Sequence, residues 1–509
     1  MGCGIVARVR VPMKWRWHAP ARSPPWPVAR RSLVAPAGAL VGIGTAPRNS
    51  QADPLSPENA MYRQFAIPPS FHAAALAALA LLAAPAHADF LYGRIVPGAS
   101  AQANNDSAAV DVSADGRTVV FSSAATNWGP DDGFYGTRAL AVDLDLNVIE
   151  TVSRTSAGVV FRGETPVVSS DGRYVAFLSN NSPFGSGWQV VRKDRHTGEV
   201  KVASSDAAWT PANNFVQDDG LAISADGRYV VFAASSSNLG VATGGQDQVI
   251  VKDMVSGQVR VASLKSDGSP SDGYCYIVPR MVSADGRYVG MNCDGTLAPG
   301  VIGRQTWVRD LQTNTTELVS RVGANGPAST AFTYGLALSP SGRFVTFRNA
   351  CYGGLGQVGG SCEGNSGVYL RDRQTQTTYP VPRPAVIPTS YANYCQASSV
   401  SDIGTIVMAC AYKSDGVNQR SQVFVYVPSP NDLGQGTHEI ISVRSADGQP
   451  GNNDSGYSLA VNANGLSMVF ESKASDLDPD DTNGRSDIFV LADESMFTDV
   501  IFADGFEQP

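Results

Sequence analysis

The stretch Ile223-Ser-Ala-Asp-Gly-Arg-Tyr-Val-Val-Phe232 recurs along this chain and constrains its fold more than any other feature. It reads as the end of one strand, a tight Asp-Gly turn, and a second strand rich in β-branched and aromatic residues. Near-copies stand at Val112–Phe121, Val168–Phe177 and Val282–Met291, and looser ones at Leu338–Phe347, Val400–Ala409 and Val461–Phe470. The turn glycines are Gly116, Gly172, Gly227, Gly286, Gly342, Gly404 and Gly465, with successive gaps of 56, 55, 59, 56, 62 and 61 residues. Seven units at near-constant spacing define a repeat architecture, in which each unit buries its apolar face only by stacking on its neighbours.

Each unit holds four strands. In the third copy these are Gly220–Ser224, Arg228–Ala233, Gln248–Lys252 and Gln258–Ser263, with the turn 253–257 between the last two. No 3.6-residue apolar period is sustained, and turn residues recur too often for helices. Four antiparallel strands repeated seven times predict an all-β chain, a seven-bladed propeller. The turns Ser339-Pro-Ser-Gly-Arg343 and Ser224-Ala-Asp-Gly-Arg228 resemble those of the WD40-like, TolB-type β-propeller repeats of bacteria. The last repeat, from Ser475 to Val490, resembles an exported variant with an acidic Asp-Thr-Asn-Gly loop. The resemblance covers about residues 90–495 and implies the fold; one fold hosts many functions, so it implies no activity. The Tol-system protein carries an α/β domain before its propeller and prolyl oligopeptidase-like enzymes a hydrolase domain after theirs, and neither identity is expected to carry over.

Asn104-Asn-Asp-Ser107 matches Asn452-Asn-Asp-Ser455, which precedes the last hairpin. By that alignment Phe90–Val96 takes the place of a fourth strand, and the last repeat ends after its third, Asp487–Leu491. We therefore expect the N-terminal strand to complete blade seven and leave no free edge. The rival candidate is Asp499–Phe502.

Ahead of the propeller two segments differ in kind. Residues 1–60 carry eight basic and two acidic residues and no hydrophobic period, and read as an upstream extension, either not native to the product or disordered. Residues 61–88 read as a signal peptide, with Arg63, an apolar run of 12 residues over Ala73–Ala84, and a small-x-small site ending at Ala88. Cleavage there gives a propeller over 89–495 and a tail over 496–509. Residues 1–88 hold nine of the 38 basic and two of the 46 acidic residues, which leaves 29 against 44, a net charge of −15. An acidic product disfavours nucleic acid and anionic membranes as partners. No run reaches the ~18 residues of a membrane span. A periplasmic or extracellular monomer is expected. Its six cysteines permit disulfides, with Cys275–Cys293, Cys395–Cys410 and Cys351–Cys362 as local pairs.

Blade topology gathers the Asp-Gly turns and the third-to-fourth-strand turns on one face, and the long loops on the other. Binding residues concentrate on long loops held by a rigid scaffold. The aromatic candidates there are Trp128, Phe215, Tyr274, Tyr334, Tyr394 and Tyr457, suited to a glycan or an extended peptide. Asp476, Asp478, Asp480, Asp481, Asn483 and Asp487 offer hard oxygens close together and form the candidate Ca²⁺ site. After residue 88 only His196 and His438 remain, both assigned to solvated turns, which disfavours a Ser-His-Asp triad or a histidine-rich metal site like that of the oligogalacturonate lyases. The reading is a non-enzymatic module binding a protein or glycan. Its alternative is a carbohydrate-active enzyme using carboxylates such as Asp131, Asp132, Asp218 and Asp219.

Overall fold

In a computed structural model, residues 4–11, 90–97, 101–129, 134–180, 184, 187–214, 216–350, 355, 366–387, 395–412 and 420–493 are described. Their strands form seven antiparallel sheets, and no helix occurs among them. Blade 1 spans Ser107–Val112 to Val148–Thr151, blade 2 Glu164–Val168 to Val200–Val202, and blade 3 Val216–Ile223 to Val259–Val261. Blade 4 runs from Cys275–Tyr276 to Thr315–Leu318, blade 5 from Thr333–Leu338 to Thr377–Pro380, and blade 6 from Cys395–Val400 to Asp432–Ile440. The chain is a seven-bladed propeller of four-stranded blades. In the seventh sheet Ser455–Val461, Ser467–Ser472 and Asp487–Asp493 are followed by Phe90–Val96, which pairs antiparallel with Asp487–Asp493.

That last sheet has a fifth strand, Gly4–Val11, paired outside Phe90–Val96. The extension 1–60 is read from sequence as lacking a hydrophobic period, yet Ala7-Arg-Val-Arg-Val11 alternates at the period of two that a strand requires. Phe90–Val96 presents an edge on which such a segment can pair.

The recurring decapeptide both turns the chain and joins the blades. In blade 3 the Ser224 hydroxyl donates to Asp226 Oδ1 at 2.7 Å and accepts from the Tyr229 amide at 2.9 Å, while Asp226 Oδ1 accepts the Arg228 amide. Gly227 has φ of 69°, and a Cβ there would lie 2.2 Å from the ring of Tyr174 in the preceding blade. Glycine is required both by the left-handed backbone and by this close approach. Arg228 makes a bidentate pair with Asp253 of the other short turn, at 3.1 and 2.7 Å. The pairs Arg173–Asp194, Arg287–Asp310 and Arg343–Asp372 repeat the arrangement. The decapeptide's final apolar residue fills the core of six blades, as Phe121, Phe177, Phe232, Met291, Phe347 and Phe470, all fully buried, and in blade 6 it is the buried Ala409.

A second lock lies one residue before those aspartates. The buried Lys252 ammonium donates to Ser205 O, Asp206 O and Gly257 O and lies 4.2 Å from the Trp209 ring centre. Burial lowers its pKa to about 8. Lys193 and Arg371 likewise reach carbonyls of the preceding blade, Arg154 O and Gly323 O.

On the axis, neighbouring turns touch at the residue after the turn serine, which is Ser, Ala or Pro in blades 1 to 5 and Asp402 in blade 6. Ser170 N bonds Ala225 O, Ala225 N bonds Ala284 O, and Ala284 N bonds Pro340 O, at 3.0, 2.9 and 2.6 Å. Arg280 crosses the remaining gap. From a backbone φ of 66° its guanidinium donates to Val461 O and Val112 O, at 2.7 and 2.9 Å, and pairs with Asp111. The channel is thereby reduced at the short-turn end to a cavity of about 70 Å³.

Candidate functional site: an aromatic ledge between blades 4 and 5

On the long-loop face the first strand of blade 4 is only two residues long, Cys275–Tyr276, and the Cys275–Cys293 disulfide fixes it to the second strand with Cα atoms 4.1 Å apart. This staple positions the residues around it. Tyr274 and Tyr276 flank Cys275, with ring centres 5.5 Å apart, and Asp294 follows Cys293, its amide donating to Tyr274 O at 2.8 Å. Asp294 then takes both nitrogens of one edge of Arg304, at 2.6 and 2.8 Å. The carboxylate raises the Arg304 pKa by holding its charged form. Such a bidentate fork holds the guanidinium in one plane.

Held in that plane, Arg304 spans the blade boundary. Its guanidinium carbon lies 5.3 Å from the Tyr276 ring centre and 5.1 Å from that of Tyr334 in blade 5, and its carbonyl accepts the Thr333 amide. Arg348, opposite Tyr334 on the next strand, lies 4.9 Å from the same ring. Cations over aromatic faces at these distances are attracted by the ring quadrupole. Above this base stands Phe332, 63% exposed and packed on Gly303, and Ile302, the residue before Gly303, is 81% exposed. Asp294, Gly303, Arg304, Phe332 and Tyr334 enclose a pocket of about 310 Å³. Its lining combines ring faces, the Arg304 guanidinium and the Asp294 carboxylate.

Of the aromatic candidates, the structure brings Tyr274 and Tyr334 to this ledge. Trp128 departs from expectation: it is 6% exposed, its indole donates to Ser123 Oγ, and it packs edge-on against Phe121 in the core of blade 1. Tyr457 is exposed on blade 7, with Lys473 4.9 Å from its ring centre, away from the ledge. Phe215 and Tyr394 lie outside the described residues, as do Asp131, Asp132, Cys351, Cys362, the segments 61–88 and 496–509, and the rival closing strand Asp499–Phe502. Asp218 and Asp219 belong to the strand Val216–Ile223. The second disulfide joins Cys395 and Cys410 across blade 6.

Three of the six residues assigned to calcium converge on an arginine. Asp478, Asp481 and Asp487 lie 2.9, 3.2 and 3.1 Å from the guanidinium of Arg94, all four side chains being buried. Burial raises the Asp487 pKa to about 6 against the pull of Arg94. Asn483 donates to Asp487 and to Ala103 O, Asp476 accepts the Asn452 amide, and Asp480 O accepts from Gln102. Among the described residues no three His, Cys, Asp or Glu side chains are grouped to hold a metal. His196 lies in its turn, its amide bonded to Asp194. His438 does not: it sits within the strand Asp432–Ile440 against the ring of Tyr426, and burial lowers its pKa to about 4.

Sequence reasoning missed Arg304, Arg348 and Asp294 as members of the site. The available signal was the spacing of Phe332 and Tyr334, and of Tyr274 and Tyr276, which places each pair on one face of a strand.

No protein-family model matches the chain, and no curated protein matches it. Among solved structures, TolB from Acinetobacter baumannii is 17% identical with a TM-score of 0.34; the match covers 60% of this chain and 59% of that TolB, less than two thirds of its length. Oligogalacturonate lyase from Vibrio parahaemolyticus is 12% identical over 81% of this chain and 96% of the lyase, with a TM-score of 0.49. The Cps50 β-propeller domain of Myceliophteria thermophila is 11% identical over 76% of this chain and 97% of that domain, with a TM-score of 0.40.

Proposed function

We propose that this chain is an exported, non-enzymatic propeller that binds a protein or glycan ligand through its long-loop face, at the ledge between blades 4 and 5. The observation that carries the reading is the Tyr276–Arg304–Tyr334–Arg348 array beside a pocket of about 310 Å³ that the exposed Phe332 also lines. A rigid scaffold with exposed aromatic anchors is what recognition sites use to gain contact area at low entropic cost. Two disulfides are compatible with an oxidising compartment, and residues 61–88 serve in this reading as the export signal. No helix among the described residues is long and apolar enough to cross a membrane. The reading also takes Phe90–Val96 as the strand that closes the ring, supported by its pairing with Asp487–Asp493 and by the ion pairs of Arg94.

The test is the thermal midpoint of the protein against a panel of oligosaccharides and peptides. A ligand of the native state raises the midpoint by mass action. A concentration-dependent rise in wild type that Tyr334→Ala abolishes supports the reading. Turnover of a bound saccharide would instead favour the carbohydrate-active alternative.

A further inference from the structure

We infer that the ledge selects a peptide segment carrying an aliphatic or aromatic anchor next to a carboxylate; this inference rests on the binding reading above. Asp294 and Arg304 pair through two hydrogen bonds, so their charges largely offset each other. Arg348 has no such partner: among the described residues no carboxylate pairs with it, and its guanidinium bears on the Tyr334 ring. Among the described residues the site therefore carries one uncompensated positive charge, on a chain whose overall charge is −8.

In the pocket that Tyr334 also lines, Phe332 is an apolar group that folding has not covered, 63% exposed, and Ile302, two residues before Arg304, is 81% exposed. A neutral sugar needs hydrogen-bonding groups facing its hydroxyls as well as a ring to stack on. Here the polar pair lining the pocket spends its strongest bonds on itself, beside an apolar ring and a cation. An apolar side chain resting on Phe332, with a neighbouring carboxylate on Arg348, uses both. Charge complementarity at such a rim sets specificity and encounter rate more than raw affinity. The preference for acid is accordingly the property to measure.

The experiment is fluorescence anisotropy of the full chain with three labelled peptides of one length, each with a central phenylalanine flanked by aspartate, asparagine or lysine. The aspartate peptide should bind tightest and should weaken on raising salt from low to physiological strength. Arg348→Gln should weaken it roughly fivefold, the scale of one partly exposed ion pair, and weaken the asparagine peptide by less. Arg348→Glu should reverse the order in favour of lysine. Unchanged melting curves for both variants exclude misfolding as the cause. Equal binding of the three peptides, or an acid preference that survives Arg348→Gln, overturns the inference. Tyr334-dependent binding of a neutral oligosaccharide with no peptide binding overturns it while leaving the binding reading standing. Failure of every probe to bind in a Tyr334-dependent way removes both.

Discussion

Arg94 Nε donates to Asp478 Oδ2 at 2.9 Å across 384 residues of chain. Arg94 sits in the strand beside Asp487–Asp493, and its guanidinium also meets Asp481 and Asp487. Removing one partner of a buried ion cluster leaves the remaining charges uncompensated, which costs about 3–5 kcal/mol. Arg94→Gln should lower unfolding stability by that amount in a denaturant titration. A loss below about 1 kcal/mol would mean that the N-terminal strand is not part of the cooperative unit.

The same cluster makes stability depend on pH. Burial raises the Asp487 pKa to about 6 in the folded state, above the ordinary aspartate value, so protonation favours folding. Its contribution is fully present below the unfolded pKa and is lost as pH rises through about 6. Asp487→Asn should therefore flatten the stability–pH curve between about pH 4 and about pH 7. Parallel curves for variant and wild type would show that the site does not titrate in this window.

At the repeated turn, Gly227→Ala places a Cβ 2.2 Å from Tyr174 at a φ of 69°. Gly240 has a similar φ of 74°, but a methyl group there would meet nothing within 4 Å. Both variants carry the left-handed strain of about 1–2 kcal/mol, and only Gly227→Ala adds a clash between blades. Its melting temperature should fall further than that of Gly240→Ala. Equal falls would show that backbone strain alone accounts for the glycine.

Replacing both members of a disulfide by serine should cost about 3 kcal/mol from the lost restraint on the unfolded chain, for cysteines separated by 18 and 15 residues. The two should differ in function. Cys275 and Cys293 adjoin Tyr276 and Asp294, so their loss should weaken ledge binding at temperatures where the protein stays folded. Loss of the Cys395–Cys410 bridge should leave it intact.

The propeller was legible because its signal is local. Each Ser-x-Asp-Gly-Arg turn carries its own hydrogen bonds, its glycine and the start of its second strand within a few residues, as Ser224, Asp226 and Gly227 do. Even the pairing of the turn arginines with aspartates could be anticipated, since Arg228 and Asp253 lie on adjacent short turns of one blade. What sequence hid is long-range. The acidic run 476–487 has the composition of a calcium loop, and only the arrival of Arg94 from the far end of the chain reveals another cation among its carboxylates. Arg280 crosses the axis to Val112 and Val461, contacts that no repeat alignment contains. Trp128 follows an Asn in a loop and reads as exposed, yet Ser123 offers its indole a buried acceptor. The ledge fell between these extremes: its tyrosines were visible by spacing, and its arginines became visible only once blades 4 and 5 stood side by side.

Everything proposed for function turns on ligand binding at the ledge of the long-loop face. The short-turn face offers a fair control, a groove of about 290 Å³ that includes Arg260 and Gln312. The decisive measurement is a ligand titration by thermal shift on three proteins: wild type, Tyr334→Ala, and the double variant Arg260→Ala, Gln312→Ala. Binding at the ledge gives a saturable rise in midpoint for wild type and the double variant and none for Tyr334→Ala. A rise that survives Tyr334→Ala and disappears in the double variant would contradict it and move the binding site to the opposite face.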